Sequence, residues 1–491
     1  MILGIAVVVN PWVGSLMGVL LLAIAFSWAR GWFLHLVVLV VFSELILGGS
    51  GRYLEFWDFL TIRKILFLAV WILFGCLWLT DARRSGLSLR SFACVRNATL
   101  MGVMTFLVFG LMVGLYRGNR LSYIIGDAQG FLFLTLATPF AYFARREKIK
   151  VEFFLSVFVV CTVIYSCLKA LIYLGVYFNY VSLSAVTDLL VERGNQIASV
   201  RTSTGELRFA TVGDLFPMLA FPLLAAVALT VKTWRSRVVL LAAITVVLLA
   251  LTGSNSRGLW LGSFVGVIVL LVTTTTNQKL KIMAGIGVGF LGAVMLLPST
   301  MGLLERRIEL SVDLTEEGNL TRMDQAPKLI RAGLEHPIIG NGFGKTLPDL
   351  IRSLDYPYAY ELQTLAFFMK MGIIGCAAWV IFLAWICRTL IAMGKRLPSR
   401  GHSMILRGML GGVAALLFVG SINPHISSPT GMAYLALTVV VADLMRRQLP
   451  SRSEVRSTVP SVALPHAVTF RPGYRPGAVA WKRGKPTPSG R

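Results

Sequence analysis

The feature that most constrains this chain is a succession of apolar runs, each about 15–30 residues long, separated by short turns rich in arginine and lysine. In a bilayer every backbone N–H and C=O needs an internal partner, so such a run can cross only as a helix or as a strand of a closed barrel. The alternating pattern of a transmembrane barrel is absent. Hydrophobic residues make up 56% of the chain and charged residues 14%, where a soluble domain carries about 25% charged. The fold class expected is therefore all-α: a polytopic helical membrane protein of about 12–14 transmembrane helices, with a long outer loop before the last three.

The formal net charge of +24 does not indicate nucleic acid. The basic residues gather in short loops at 83–96, 145–150, 232–237, 279–281 and 395–407, and in the tail. That is the distribution the positive-inside rule produces, and it places these loops in the cytoplasm. The turn at 49–64, the segment at 177–209, the 253–258 turn, the 298–362 loop and the 423–430 turn then face outward. The six cysteines lie in apolar runs or at their flanks without CxxC spacing, which predicts neither a disulfide framework nor a zinc site. The opening residues lack a basic n-region and a small-residue cleavage site, so the first run, at 2–29, is expected to stay in the membrane.

Three regions are expected. Residues 1–208 form an N-terminal transmembrane bundle with an outer segment near 177–208. Residues 209–445 form a second transmembrane region that includes the outer loop 299–361. Residues 446–491 are rich in Pro, Ser, Gly and basic residues and form a basic, disordered cytoplasmic tail.

The chemistry is sought in the loop before the last three helices, the longest mostly polar segment. Arg322 lies there, and Arg257 lies two runs earlier in Ser254-Asn-Ser-Arg257-Gly258, on the same inferred face. Outward arginines run against the positive-inside trend, and the planar guanidinium suits a bidentate grip on phosphate. Asn341-Gly342-Phe343-Gly344 can present backbone amides to an anion, although such a run is more often only a turn. His336, before Pro337, is a candidate base or a packed turn residue. Glu361 opens a long apolar run beside Tyr358 and Tyr360. It can take a proton from a sugar hydroxyl or serve only the helix N-terminus. Within the apolar runs Glu44, Lys169 and Asp214 are costly charges, and Lys169 and Asp214 can pair across helices. No P-loop, dinucleotide fingerprint or aspartate-rich metal motif occurs, so neither cofactor nor metal is expected.

Three segments together resemble the O-antigen ligase / O-antigen polymerase family of bacterial envelope proteins. They are Ser254-Asn-Ser-Arg257-Gly-Leu-Trp-Leu-Gly262; Arg322 followed by Leu334-Glu-His336-Pro-Ile-Ile-Gly340-Asn-Gly342-Phe-Gly344; and Glu361-Leu-Gln-Thr-Leu365 through Lys370-Met-Gly372-Ile-Ile-Gly375. The resemblance covers roughly residues 209–445. It implies a multi-pass glycosyltransferase of the bacterial inner membrane, with a periplasmic active face and a cytoplasmic C-terminus. The donor would be a glycan on undecaprenyl diphosphate, and the acceptor a polysaccharide repeat unit or lipid A–core. Membrane lipids would be further partners. Arg257 and Arg322 would bind the donor diphosphate, Arg322 and Glu361 would be catalytic, and His336, Asn341, Gly342 and Gly344 would be candidate substrate contacts. Glu361 stands where the ligases carry a histidine, which favours a polymerase of exopolysaccharide, capsule or O-antigen over a ligase. A transporter of lipid-linked sugars is the alternative from another class.

Overall fold

The computed structural model describes residues 28, 30–48, 55–57, 60–85, 95–186, 198–201, 207–296, 317–350 and 357–448. Almost all of the first apolar run, Glu305-Arg306-Arg307, Asp188, Glu192, Arg193, Arg352, Tyr356 and almost all of the 446–491 tail lie outside these residues.

The chain is an all-α polytopic membrane protein. Among the described residues, six segments are long and apolar enough to cross a bilayer: Ile62–Arg83, Leu121–Arg146, Val151–Tyr177, Trp234–Ser254, Gln363–Arg396 and Arg400–Ile422. Four shorter apolar helices join them: Phe33–Leu47, Phe106–Tyr116, Leu215–Ala228 and Arg257–Thr273. In chain order the helices are α1 (Phe33–Leu47), α2 (Ile62–Ser85), α3 (Val95–Tyr116), α4 (Leu121–Leu132), α5 (Ala137–Arg146), α6 (Val151–Tyr177), α7 (Leu215–Ala228), α8 (Trp234–Ser254), α9 (Arg257–Thr273), α10 (Thr276–Leu296), α11 (Glu317–Glu335), α12 (Gln363–Arg396), α13 (Arg400–Ile422) and α14 (Pro429–Arg446). A 3₁₀ turn at Phe133–Leu136 joins α4 and α5 into one span. Two short antiparallel pairs interrupt the helical pattern: β1 (Glu55–Trp57) with β2 (Leu60–Thr61), and β3 (Ala198–Arg201) with β4 (Leu207–Ala210).

The periodicity of the apolar runs predicts most of these helices within a few residues. Two expectations are corrected. The turn expected at 395–407 is mostly helix: α12 runs to Arg396 and α13 begins at Arg400, after Ser399 accepts a hydrogen bond from the His402 amide. The long polar loop likewise holds α11, whose buried face is narrow and includes Gln325, Leu329 and Ala332.

One core runs through the bundle, with α14 at its centre and every residue from Thr430 to Met445 buried. Membrane helices gain little from hydrophobicity against each other, so close approach through small residues matters more. Here α9 meets α13 through Gly262, Gly266 and Gly411, where added Cβ atoms would strike the facing helix. Gly408 of α13 meets α7 at Leu223 in the same way.

Among the described residues the fully buried charges have partners. Lys169 of α6 contacts Asp214, which also takes bonds from Tyr165 and from the Thr211 amide ahead of α7. Glu44 of α1 lies 3.1 Å from Arg63 of α2. The three costly charges Glu44, Lys169 and Asp214 are thus held in intramolecular contacts.

Breaking a buried pair costs more than deleting it whole. Lys169→Met should lower stability by about 3–5 kcal/mol, and Lys169→Met combined with Asp214→Asn should recover most of that loss. Thermal unfolding of the detergent-purified variants measures both.

Candidate active site

The site is built around a break in α12. Gly372 takes φ 62° and ψ −167°, which interrupts the helix one-third of the way along its length. In an unbroken helix the Ile373 and Ile374 amides would bond to the Met369 and Lys370 carbonyls. Here the Ile373 amide bonds to the Pro337 carbonyl at 2.8 Å and Ile374 to Ile338 at 3.2 Å. The carbonyls left over take replacements from the same loop: Asn341 donates to Met369 at 2.9 Å and Gly342 to Lys370 at 2.7 Å. The loop is spliced into the helix and satisfies the groups the break exposes.

The splice needs its glycines. Gly340, Gly342 and Gly344 all have positive φ, and Cβ atoms would strike the Lys370 carbonyl, the Gly114 backbone and the Ile124 amide respectively. Phe343 between them is fully buried, stacks on Phe131 and contacts Phe106, which pins the loop to α3 and α4. Asn119 donates to the carbonyls of both Asn341 and Phe343 at 2.9 Å. The Asn341 side chain bonds to Ala332 near the end of α11 and to Met369 of α12.

Of the two readings of this loop, a turn or a set of amides facing an anion, the hydrogen bonds fit the turn. The amides of Gly340 through Gly344 already donate to His336, Met369, Lys370, Gly110 and the Asp127 carboxylate. Asn341, Gly342 and Gly344 therefore hold α11 and α12 in place. His336 is half-buried where α11 ends, with its carbonyl engaged by Gly340.

What the splice positions is an ion pair. Arg322 of α11 and Glu361, two residues before α12, meet with Nε and Oε2 3.0 Å apart. The Glu361 side chain is 8% exposed and the Arg322 side chain 28%. The N-cap of α12 is Leu362, so Glu361 stands one residue ahead of it. The Glu361 amide donates to buried Gln325, one turn along α11 from Arg322. Arg322 Nη1 also lies 3.4 Å from Asn319.

Beneath this pair lies a second one. Lys370 is 2.6 Å from Asp127 of α4 and donates to the Tyr358 carbonyl at 2.8 Å. Its ammonium also lies over the rings of Tyr358 and Tyr360. The Tyr360 hydroxyl accepts from the Leu347 amide at 2.7 Å, and burial pushes its phenol up to about 12, so it stays protonated at neutral pH. The segment from Tyr358 to Glu361 is thus tied at both ends.

Arg257 reaches the same end of the bundle by another route. Only Asn255 and Ser256 separate α8 from α9, with Asn255 left-handed at φ 46°, so Arg257 is the first helical residue of α9. Next to it, an added Cβ on Gly258 would meet the Asn423 amide group. The turn from Asn423 to Ser428 then joins Gln363, which accepts from the Ile426 amide at 2.9 Å and contacts Ser427. One turn therefore connects the start of α9, carrying Arg257, to the start of α12, beside Glu361.

Asp127, Gln325 and Lys370 went unassigned in the sequence. Asp127 and Lys370 carried a usable signal, since each is a charge inside an apolar run and needs a partner. Among the described residues no group of acidic, His and Cys side chains could hold a metal ion.

Residues 241–380 match the family model for O-antigen ligase. The matched stretch runs from α8 into α12 and carries Arg257, Arg322, His336, the spliced loop and Glu361. It leaves out Asp127 and the 423–428 turn, which the fold adds to the O-antigen ligase-like region. No curated protein matches the chain.

Gly342→Ala should abolish accumulation of folded protein, because its Cβ collides with backbone and not with a movable side chain. Gly118→Ala, also at positive φ but in open space, should cost only about 1 kcal/mol. Size-exclusion profiles and melting curves of the two variants separate these outcomes.

Proposed function

We propose that this protein is a membrane glycosyltransferase that moves a glycan from a lipid diphosphate to a sugar hydroxyl at the periplasmic face of the inner membrane. The observation that carries the reading is the Arg322–Glu361 pair, 3.0 Å apart, inside the stretch that matches O-antigen ligase. A cation to hold a diphosphate and a carboxylate to take a proton stand side by side at the end of a membrane helix.

In this reading the acceptor hydroxyl gives its proton to Glu361. Its oxygen bonds to the anomeric carbon of the donor glycan as the bond from that carbon to the lipid diphosphate breaks. The diphosphate leaves with the electron pair. Arg322 and Arg257 offset its charge. Arg322 turns its Nε toward Glu361, so its Nη groups are the ones assigned to the diphosphate. The donor is assigned as undecaprenyl diphosphate, and the 209–445 region as the part that carries the chemistry. Chain polymerisation is favoured over transfer to lipid A–core, because a carboxylate stands where the ligases have histidine.

The test is transfer in reconstituted vesicles, with undecaprenyl-diphosphate-linked repeat units supplied without nucleotide. Wild type should build a ladder of products. Arg322→Ala should lower the rate about 100–1,000-fold, with Arg257→Ala losing activity as well at unchanged protein level. Glu361→Gln should stop turnover with the fold intact. Product formation only when lipid A–core is added would make the protein a ligase. Undiminished transfer by both arginine variants would overturn the site.

A further inference from the structure

We propose that α11 is an interfacial helix, seated in the bilayer leaflet on the site's side with one apolar stripe among the phospholipid acyl chains. Three faces of α11 are distinct. Gln325, Leu329, Ala332 and Gly333 are buried against α12. Leu320, Met323, Pro327, Ile330 and Leu334 form a second stripe at i, i+3, i+7, i+10 and i+14, the spacing of one helix face. Asp324, Lys328, Arg331 and Glu335 form a third at i, i+4, i+7 and i+11, about 90° further round at about 100° per residue.

The second stripe faces outward. Leu320, Met323, Ile330 and Leu334 are 42–62% exposed. On a water-facing helix such a stripe is unfavourable by about 25 cal/mol for each Å² of apolar surface left wet. An apolar stripe with a charged stripe beside it is the arrangement of a helix lying in the headgroup boundary, where the charges reach up to water.

The occupant follows from continuity with the lipid-facing wall of the bundle. The stripe ends at Leu334, and the next exposed apolar side chain in the chain is Ile338. Ile338 is joined by its carbonyl to Ile374 of α12. There Ile373, Ile374, Val380 and Ile381 begin the exposed apolar face of a membrane-spanning segment. Exposed apolar side chains thus occur on both sides of the splice, on α11 at Leu334, at Ile338 and on the membrane-spanning segment at Ile373 and Ile374. Seated this way, α11 sets Arg322 at the depth of the phosphate groups.

The test reads depth without glycan and does not depend on the transferase reading. A nitroxide-bearing amino acid is introduced singly at positions 320, 323, 330, 334, 328, 331 and 335 of the full chain in phosphatidylcholine–phosphatidylglycerol bilayers. Collision with oxygen is compared with collision with a water-soluble nickel chelate. The oxygen-to-nickel ratio should be at least about twofold higher at the first four positions than at the last three. Adding Ile330→Glu and Leu334→Glu should remove that excess at position 323. Equal ratios in both sets would mean the stripe lies in water. Low collision with both reagents at the first four would mean another protein surface covers it. Either result overturns the proposal.

Discussion

The structure depends on one exchange of hydrogen bonds. A membrane helix cannot leave its carbonyls or amides unpaired, and Gly372 breaks α12 at just such a place. The four groups that the break exposes are satisfied by Pro337, Ile338, Asn341 and Gly342. That exchange fixes α11 against α12, brings Phe343 into the aromatic cluster of α3 and α4, and sets the height of the residues before α12. Loop, break and helix depend on one another: without the break the loop has no partners, and without the loop the break is too costly for a membrane span.

The ion pairs can be ranked by what surrounds them. Lys169–Asp214 is sealed inside the bundle with further bonds from Tyr165 and Thr211, which suits a fixed structural role. Lys370–Asp127 is nearly as buried and ties three segments together. In Arg322–Glu361 the glutamate side chain is buried while the arginine side chain is partly exposed. Arg145–Asp443 shares that asymmetry, so what sets Arg322–Glu361 apart is its place inside the matched stretch. In the proposed reading a second anion approaches the exposed part of the arginine.

The apolar runs made the helical membrane fold legible, because a bilayer leaves so few alternatives. The Lys169–Asp214 contact was legible too, as two costly charges that needed each other. The glycine loop was readable as a motif but not as a mechanism. Gly340-Asn-Gly342 looks the same whether its amides face a phosphate or a broken helix, and only the partner at Met369 and Lys370 decides between them. α11 was hidden by its composition: the apolar stripe from Leu320 to Leu334 is interleaved with Asp324, Lys328, Arg331 and Glu335, so the segment reads as polar loop. Asp127 lies more than 200 residues from its partners Gly344 and Lys370, beyond the reach of any local pattern.

The central claim is that Arg322 is shared between Glu361 and an incoming diphosphate. It is tested most directly by the affinity of a glycan-free prenyl diphosphate for the purified protein and for Arg322→Ala and Glu361→Gln. The account predicts that Arg322→Ala loses at least about tenfold in affinity, while Glu361→Gln binds as well as wild type or better. Equal affinity in all three folded proteins would reduce the pair to a structural contact and contradict the account.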